Sequence, residues 1–336
     1  MERRHFIESA ALSVAPVFPD WQSTMGRMDA ANSGEARRLG MPDVDLVVRM
    51  SDRLSATYDD LGGRHTRPLA ATFLVNVVAP YLRMDGPPQV RKAMLSAAAF
   101  LCYLTGWMAV DETQHGLAQK WYLKALQLSG AGGDHLTYCR VLRGMSVQAA
   151  DLGHGPDAMR FAETAASAAP DGEPDNRAFF AAQRGYASAV GGERRAALAR
   201  VRDTEKFLDI ADSRTGTLGG FNASTLAYMT SNVRYHSGDI KGSVHSLQQH
   251  FHLRDETDSR QSGVRFSSLL AERQLEIGHL EEACTTWIKV LEEYPATHSG
   301  RIDQHVANIG PLLRPYLANS TARDTFDRAR LAARAK

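Results

Sequence analysis

Apolar residues recur at helical spacing almost without interruption from residue 42 onward. The stretch PDVDLVVRMSDRLSATYDDL shows this pattern and ends at Gly62-Gly63, and the next helical stretch is interrupted at Pro80. No stretch alternates apolar and polar residues between hairpin turns, as a half-buried strand would. The pattern therefore predicts an all-α fold.

The predicted helices repeat in pairs. The second helix of a pair carries a triplet: an Ala, a large residue four positions later, and a small residue seven positions after the Ala. The first helix has a small residue twelve positions before that Ala. Gly106, Ala118, Tyr122 and Ala125 fit best. We name the first position of the triplet the anchor, and the five anchors are Ala118, Ala158, Ala197, Ser243 and Ala283, at intervals of 40, 39, 46 and 40 residues. This is the pattern of a tetratricopeptide repeat with a period longer than the usual ~34 residues, because small residues let two antiparallel helices approach closely.

Turn residues lie between the two helices of each pair. The sequence predicts turns at Gly153, Gly191, Gly238 and Gly278, and it predicts that the Asp111-Glu112 pair caps the start of a helix. The predicted architecture is a right-handed α-solenoid of antiparallel helix pairs. Residues 1–41 form an N-terminal segment that is partly irregular, 42–88 capping helices, 89–298 about five tetratricopeptide-like pairs, and 299–336 C-terminal capping helices, split near Asn319.

The concave surface of such an array is lined by the first helix of each pair, at positions eighteen, fifteen, eleven and eight residues before the anchor. Aromatic, arginine and asparagine side chains at these positions are suited to ligand binding, because rings supply contact area and guanidinium and amide groups supply hydrogen bonds. The alternative is that the aromatic members pack between helices. The candidate binding residues are Tyr103, Trp107, Arg140, Arg143, Tyr186, Tyr228, Asn232, Tyr235 and Arg265.

Composition adds few constraints. The chain has 336 residues, 43% hydrophobic residues and a formal net charge of +1, so no global basic excess indicates nucleic-acid binding. Cys102, Cys139 and Cys284 are far apart and form no CxxC motif, so we expect buried thiols rather than a disulfide or zinc framework. The most apolar stretch, AMLSAAAFLCYLTGWMAV, is interrupted by Ser, Thr and Gly, and we expect no membrane association.

No catalytic or cofactor-binding motif stands out. His245, His250 and His252 do not have the spacing of a helical metal site, so a solvated or inter-repeat role is expected for them. Nucleophile-elbow, phosphate-loop and dinucleotide fingerprints are missing from the sequence, so we expect no cofactor, no metal and no catalytic residue. A catalytic site grafted onto the helices remains the alternative.

Two runs resemble a known family. The stretches GWMAVDETQHGLAQKWYLKALQLSGAGGD and LRGMSVQAADLGHGPDAMRFAETA are similar to the tetratricopeptide-like sensor region of actinobacterial helix-turn-helix transcriptional regulators. The resemblance covers roughly residues 42–335. It implies an array that receives a peptide or small-molecule signal and that mediates dimerisation, so a homodimer is expected. Residues 1–40 lack the pair of short helices of the family's DNA-binding domain, so direct operator recognition is not expected.

Residues 3–7 read RRHFI, which is how a twin-arginine export signal begins. The apolar stretch that follows is short, begins with Glu8 and contains no Ala-x-Ala site, so it departs from an export signal. In the related regulators a similar stretch joins the DNA-binding domain to the array, and RRHFI is interpreted as a remnant of that joint. The expected location is cytoplasmic, with twin-arginine export as the alternative.

The leading functional hypothesis is a regulatory sensor or adaptor that binds a peptide or protein segment in a concave groove, in transcriptional or developmental control. The alternative is a small-metabolite-binding or auxiliary protein of a biosynthetic pathway. A deep pocket rather than an open groove would favour the alternative. Structural scaffolding of other proteins is a third reading, which predicts a large apolar patch and no pocket.

Overall fold

The computed structural model describes residues 38–169, 174–210, 221–254 and 259–334. In these residues every regular element is helical and there is no strand, which confirms the all-α prediction. The α-helices are α1 (Met41–Leu61), α2 (Gly63–Phe73), α3 (Ala79–Tyr81), α4 (Pro88–Asp111), α5 (His115–Gly132), α6 (His135–Asp151), α7 (Gly155–Ala168), α8 (Pro174–Val190), α9 (Arg194–Ile210), α10 (Ala223–His236), α11 (Ile240–Leu253), α12 (Arg260–Glu276), α13 (Leu280–Glu293), α14 (Gly300–Leu313) and α15 (Ser320–Arg334). The expectations for residues 1–37, including the export signal or joint at Arg3-Arg4, lie outside the described residues.

The leading helices differ in detail from the predicted ones. Gly62 ends α1, but Gly63 already belongs to α2. A single π-helical turn, Leu74–Val78, connects α2 to the short helix α3. Pro80 lies within α3. The sequence predicted an interruption of the helix at this proline, and the structure has a change from π-helix to α-helix just before it. These helices pack on α4 through buried side chains such as Val47 and Leu74.

Five turns of the same length join the helices of the five pairs. Each contains three residues, and its middle residue has a positive φ: Thr113, Gly153, Gly192, Gly238 and Gly278. Each middle residue precedes its anchor by five positions, and the residue after it donates a backbone hydrogen bond to a carbonyl five residues earlier, as in a Schellman helix end. Gly191 lies in this turn as predicted, and the left-handed position is its neighbour Gly192 (φ 83°).

Small residues allow the two helices of a pair to pack at close distance. All five anchors are fully buried. The Ser146 hydroxyl donates to the backbone carbonyl of the anchor Ala158 across the helix crossing, at 2.7 Å. At Gly106 an added Cβ would lie 2.8 Å from the Tyr122 ring, so no larger residue fits there. The twelve-residue interval in the sequence therefore corresponds to a direct contact between the two helices.

Helices from the two ends of the described helix series also meet. Helix α1 contacts α12, and the segment before α14 packs on the ends of α1 and α4. A Cβ at Gly62 would lie 2.5 Å from the His298 carbonyl oxygen, and a Cβ at Gly300 would lie 2.9 Å from the Glu112 backbone. Arg64 forms an ion pair with Asp303 at 2.5 Å across the same junction. We call this contact between the beginning and the end of the helix series the closure.

Helix α4 is the one helix of the described residues that is long and apolar enough to cross a membrane by length and composition. Buried positions make up 67% of its most apolar 18-residue window. It packs against α1, α2, α5 and α6, as the central helix of a core does.

We expect Thr113→Gly to stabilise the protein. Thr113 is the only non-glycine residue with positive φ among the described residues, at 61°, and a β-branched side chain is strained there. Glycine removes that strain, but its greater conformational entropy in the unfolded state offsets part of the gain. We expect the free energy of unfolding, measured by urea titration, to rise by about 0.5–1 kcal/mol.

The matched control is Gly153→Thr at the equivalent turn position. No atom lies within 4 Å of a Cβ built at Gly153, so its cost comes from the backbone alone. This variant should lose about 1 kcal/mol. Equal stability of both variants and the parent protein would contradict the account of these turns.

Candidate binding cavity

A cavity of about 470 Å³ lies on the inner side of the helix series. Its wall comes from α1 at one end of the series, from α4, α6, α8 and α10, and from α11 and α12 at the other end. Because α1 and α12 touch, the series surrounds the cavity on several sides, and the cavity is only partly open. The volume falls in the range of pockets that hold small organic ligands.

The cavity brings together eight of the nine candidate residues. These are Tyr103, Trp107, Arg140, Arg143, Tyr186, Tyr228, Asn232 and Arg265. Tyr235 does not line it. Its ring lies against the Arg273 guanidinium, 4.4 Å from the Cζ atom to the ring centroid, and its hydroxyl bonds to Glu276.

The exclusion of Tyr235 follows a general rule of the fold. It lies eight residues before its anchor, and the residues at that position in the other four pairs are also outside the cavity lining: Val110, Ala150, Ala189 and Leu275. This position lies close to the turn, where the first helix packs against its neighbours. The three positions farther from the turn contribute the candidate residues that line the cavity.

Aromatic rings form two groups on the wall. On one side Phe179 and Trp107 flank the guanidinium of Arg143, at 4.0 Å and 5.8 Å from its Cζ to the ring centroids. On the other side Tyr228 stacks on Phe266 with centroids 3.9 Å apart. Rings in both positions can pack against an apolar or aromatic ligand, and a cation held against ring faces is stabilised by them.

Arginine dominates the charge of the lining. Arg140, Arg143, Arg254 and Arg265 face the cavity together with a single acid, Asp59. Burial raises the pKa of Asp59, which a hydrogen bond from Ser259 partly offsets. The lining is therefore electropositive.

A carboxylate at the end of α6 organises one edge of the cavity. Asp151 accepts a hydrogen bond from the Tyr186 hydroxyl at 3.0 Å, pairs with Arg301 through the same carboxylate, and has Arg265 at 3.7 Å. These groups come from α6, α8, α12 and α14. We call them the Asp151 cluster. Burial raises the pKa of Tyr186, and the nearby Asp151 charge raises it further, so the phenol stays protonated as a donor.

Asp111 belongs to the closure and does not cap the following helix α5, whose N-cap residue is Gln114, so the predicted capping role of the Asp111-Glu112 pair was wrong. Asp111 is the last residue of α4, and its carboxylate accepts from the Ser299 hydroxyl at 2.6 Å and from the Gly63 amide at 3.4 Å. Glu112 instead forms a bidentate pair with Arg67, at 2.5 Å and 3.2 Å. Burial raises the pKa of Asp111, partly offset by the hydrogen bond from Ser299.

Asn232 is oriented from behind by a buried arginine. Arg273, 4% exposed, donates to Asn232 Oδ1 at 2.9 Å and to the hydroxyls of Ser231 and Ser243 at 2.5 Å and 2.9 Å. Because guanidinium only donates, the amide oxygen of Asn232 must face it. The amide nitrogen then has no hydrogen-bond partner among the described residues and is available to a ligand.

Several lining residues escaped prediction. Ser55, Tyr58 and Asp59 lie on α1, which the sequence assigned to a cap. His250 comes from a second helix, and its Nδ1 donates to the Ser224 carbonyl at 2.8 Å. The offset rule considered only first helices of the predicted pairs, and nothing in the local sequence shows that α1 reaches α12.

The histidines and cysteines are the remaining candidates for chemistry among the described residues. No group of three or more His, Cys, Asp or Glu residues in the described part of the chain is placed to hold a metal ion. His250 is 4% exposed, and its ring lies 5.0 Å between centroids from Phe266 of the next predicted pair, which agrees with the predicted inter-repeat role. All three cysteines are buried as free thiols, and burial raises the pKa of Cys102 to about 12 and that of Cys139 to about 11.

No protein-family model matches this chain, and no curated protein sequence is significantly similar to it. The physical features of the cavity therefore provide the basis for a function.

We expect Asp151→Asn to destabilise the fold. The substitution leaves Arg265 and Arg301, whose side chains are 18% and 10% exposed, without their shared counter-charge. Loss of one partner from a fully buried pair costs about 3–5 kcal/mol, and the partial exposure of this cluster reduces the expected loss to about 2 kcal/mol in urea unfolding.

Asp157→Asn is the matched control, because Asp157 pairs with Arg160 on the surface at 45% and 68% exposure. It should change the free energy of unfolding by less than about 0.5 kcal/mol. If Asp151→Asn were equally harmless, the cluster would have no structural role.

Proposed function

We propose that this protein is a regulatory sensor that binds a small ligand in its central cavity. The observation that carries the proposal is the cavity itself, which gathers aromatic, arginine and asparagine side chains from seven helices. A partly open cavity of about 470 Å³, bounded on one side by the contact of α1 with α12, suits a small organic molecule or the end of a peptide better than an extended peptide. The cavity therefore favours the small-ligand reading over a long peptide groove.

The proposed architecture is a right-handed tetratricopeptide-like solenoid. The repeated three-residue turns and the buried anchors support it, since both recur at the interval of the helix pairs. In such an array each pair contacts its neighbours, so small changes between pairs add up along the series. A ligand that touches α1 and α12 together stabilises the closed arrangement relative to an open one.

The proposal includes a role in transcriptional or developmental control, a cytoplasmic location and a homodimeric state. These three parts rest on the resemblance to actinobacterial regulators. An auxiliary role in a biosynthetic pathway is the second candidate, because an enclosed pocket also fits a metabolite. Native mass spectrometry of the protein purified from its own host distinguishes the candidates from scaffolding. A retained small molecule supports the cavity function, and a retained polypeptide favours the protein-segment hypothesis.

Filling the cavity should abolish binding of a neutral aromatic probe. N-phenyl-1-naphthylamine fluoresces in apolar surroundings, and we expect one molecule to bind per chain on the aromatic wall. Ser55 lines the cavity from α1, so Ser55→Trp places a large ring in that space and should weaken binding at least about tenfold, measured by direct excitation of the probe.

Ala56→Trp is the matched control, because Ala56 is the next residue of α1, is exposed and does not line the cavity. It should leave probe affinity unchanged. Equal binding to both variants, or no binding to the parent protein, would contradict the proposed cavity function.

A further inference from the structure

Two arginines of the cavity have no counter-charge among the residues that the structure describes. Arg140 and Arg143 lie one turn apart on α6, and both line the cavity. Neither forms an ion pair or a hydrogen bond with any described residue, whereas Arg265 faces Asp151 and Arg254 donates to the Ser259 carbonyl at 2.5 Å. Arg140 and Arg143 are therefore the two cavity cations that no described residue compensates.

Arg143 is held in place in spite of this. Its guanidinium packs between the rings of Phe179 and Trp107, and its Nε is buried without a hydrogen-bond partner. An unsatisfied buried donor on a charged group is unfavourable, and an anion that accepts from the guanidinium edge removes that penalty. The aromatic contacts fix the group before any ligand arrives, so little side-chain entropy is lost on binding.

Neighbouring groups favour the same kind of ligand. The amide nitrogen of Asn232 offers donors, since its oxygen is engaged by Arg273. Among the described lining residues, the one acid is Asp59, against four arginines. The stacked pair of Tyr228 and Phe266 offers a ring surface for an apolar body.

We propose that the cavity selects an organic anion, with a carboxylate or a phosphate group bound by Arg143 and Arg140 and an aromatic or apolar body packed on the rings of the wall. The inference rests on the proposed cavity function and names its ligand class. A carboxylate and a phosphate share the chemistry that a guanidinium edge recognises, two oxygens that accept parallel hydrogen bonds.

The test compares two probes that differ by one charged group. 8-Anilinonaphthalene-1-sulfonate is N-phenyl-1-naphthylamine with an added sulfonate. The full-length protein should bind the sulfonate at least about tenfold more tightly than the neutral compound, a difference of about 1.4 kcal/mol. Arg143→Met should remove about tenfold of the sulfonate affinity while it changes the affinity for the neutral probe less than about twofold, because Met retains the packing of the side-chain stem.

Controls separate charge at this site from charge in general. Arg160→Met removes an arginine that is 68% exposed on α7, and it should change neither affinity. If Arg143→Met alters the far-ultraviolet circular dichroism spectrum, Arg140→Met and Arg143→Lys test the same site with smaller perturbations. Each should weaken sulfonate binding and spare neutral binding.

Competition identifies the natural head group. Displacement of the sulfonate probe by 1-naphthoate or by 1-naphthyl phosphate supports the inference, and the tighter competitor identifies carboxylate or phosphate as the preferred group. Equal displacement by uncharged 1-naphthol overturns it, as does sulfonate affinity that Arg143→Met leaves unchanged. A third outcome separates the two proposals. If Ser55→Trp abolishes binding of the neutral probe but the parent protein binds the sulfonate no more tightly than the neutral probe, the anion inference is overturned and the cavity function stands.

Discussion

The Asp151 cluster is the interaction on which the rest of the structure depends. One carboxylate at the end of α6 holds Tyr186 of α8, Arg265 of α12 and Arg301 of α14. Helices α6 and α14 lie far apart in the sequence, so this contact joins the middle of the helix series to its end. With the Asp111 and Gly62 contacts of the closure, it makes a cavity out of what would otherwise be an open surface.

The cluster also divides the arginines of the cavity into two kinds. Arg265 and Arg301 share a carboxylate and serve the fold, whereas Arg140 and Arg143 have no acid among the described residues. The proposed preference for anions rests on this contrast between paired structural cations and two neighbouring cavity cations that no described residue pairs. The aromatic packing of Arg143 adds rigidity to that preference, because the guanidinium keeps its position between Trp107 and Phe179.

Much of the site was accessible from the sequence because helical repeats follow a register. The interval between a small residue and its anchor predicted a contact that the hydrogen bond from Ser146 to Ala158 shows directly. The same register placed Tyr103, Arg143 and Asn232 on the inner side. It failed for Tyr235, because the rule treats all four inner positions alike, although the position nearest the turn packs against neighbouring helices.

The sequence by itself determined the helical class, the helix pairs, the turn intervals and the side of each first helix that faces inward, because these depend on local periodicity and on small residues at fixed spacing. Only the tertiary structure decided that α1 meets α12, that Ser55 and His250 join the site, and which arginines are paired. Those outcomes depend on how successive helices pack and on contacts such as Asp151 with Arg301, which lie 150 residues apart. No local pattern encodes a contact at that separation, and the candidate function depends on this long-range closure.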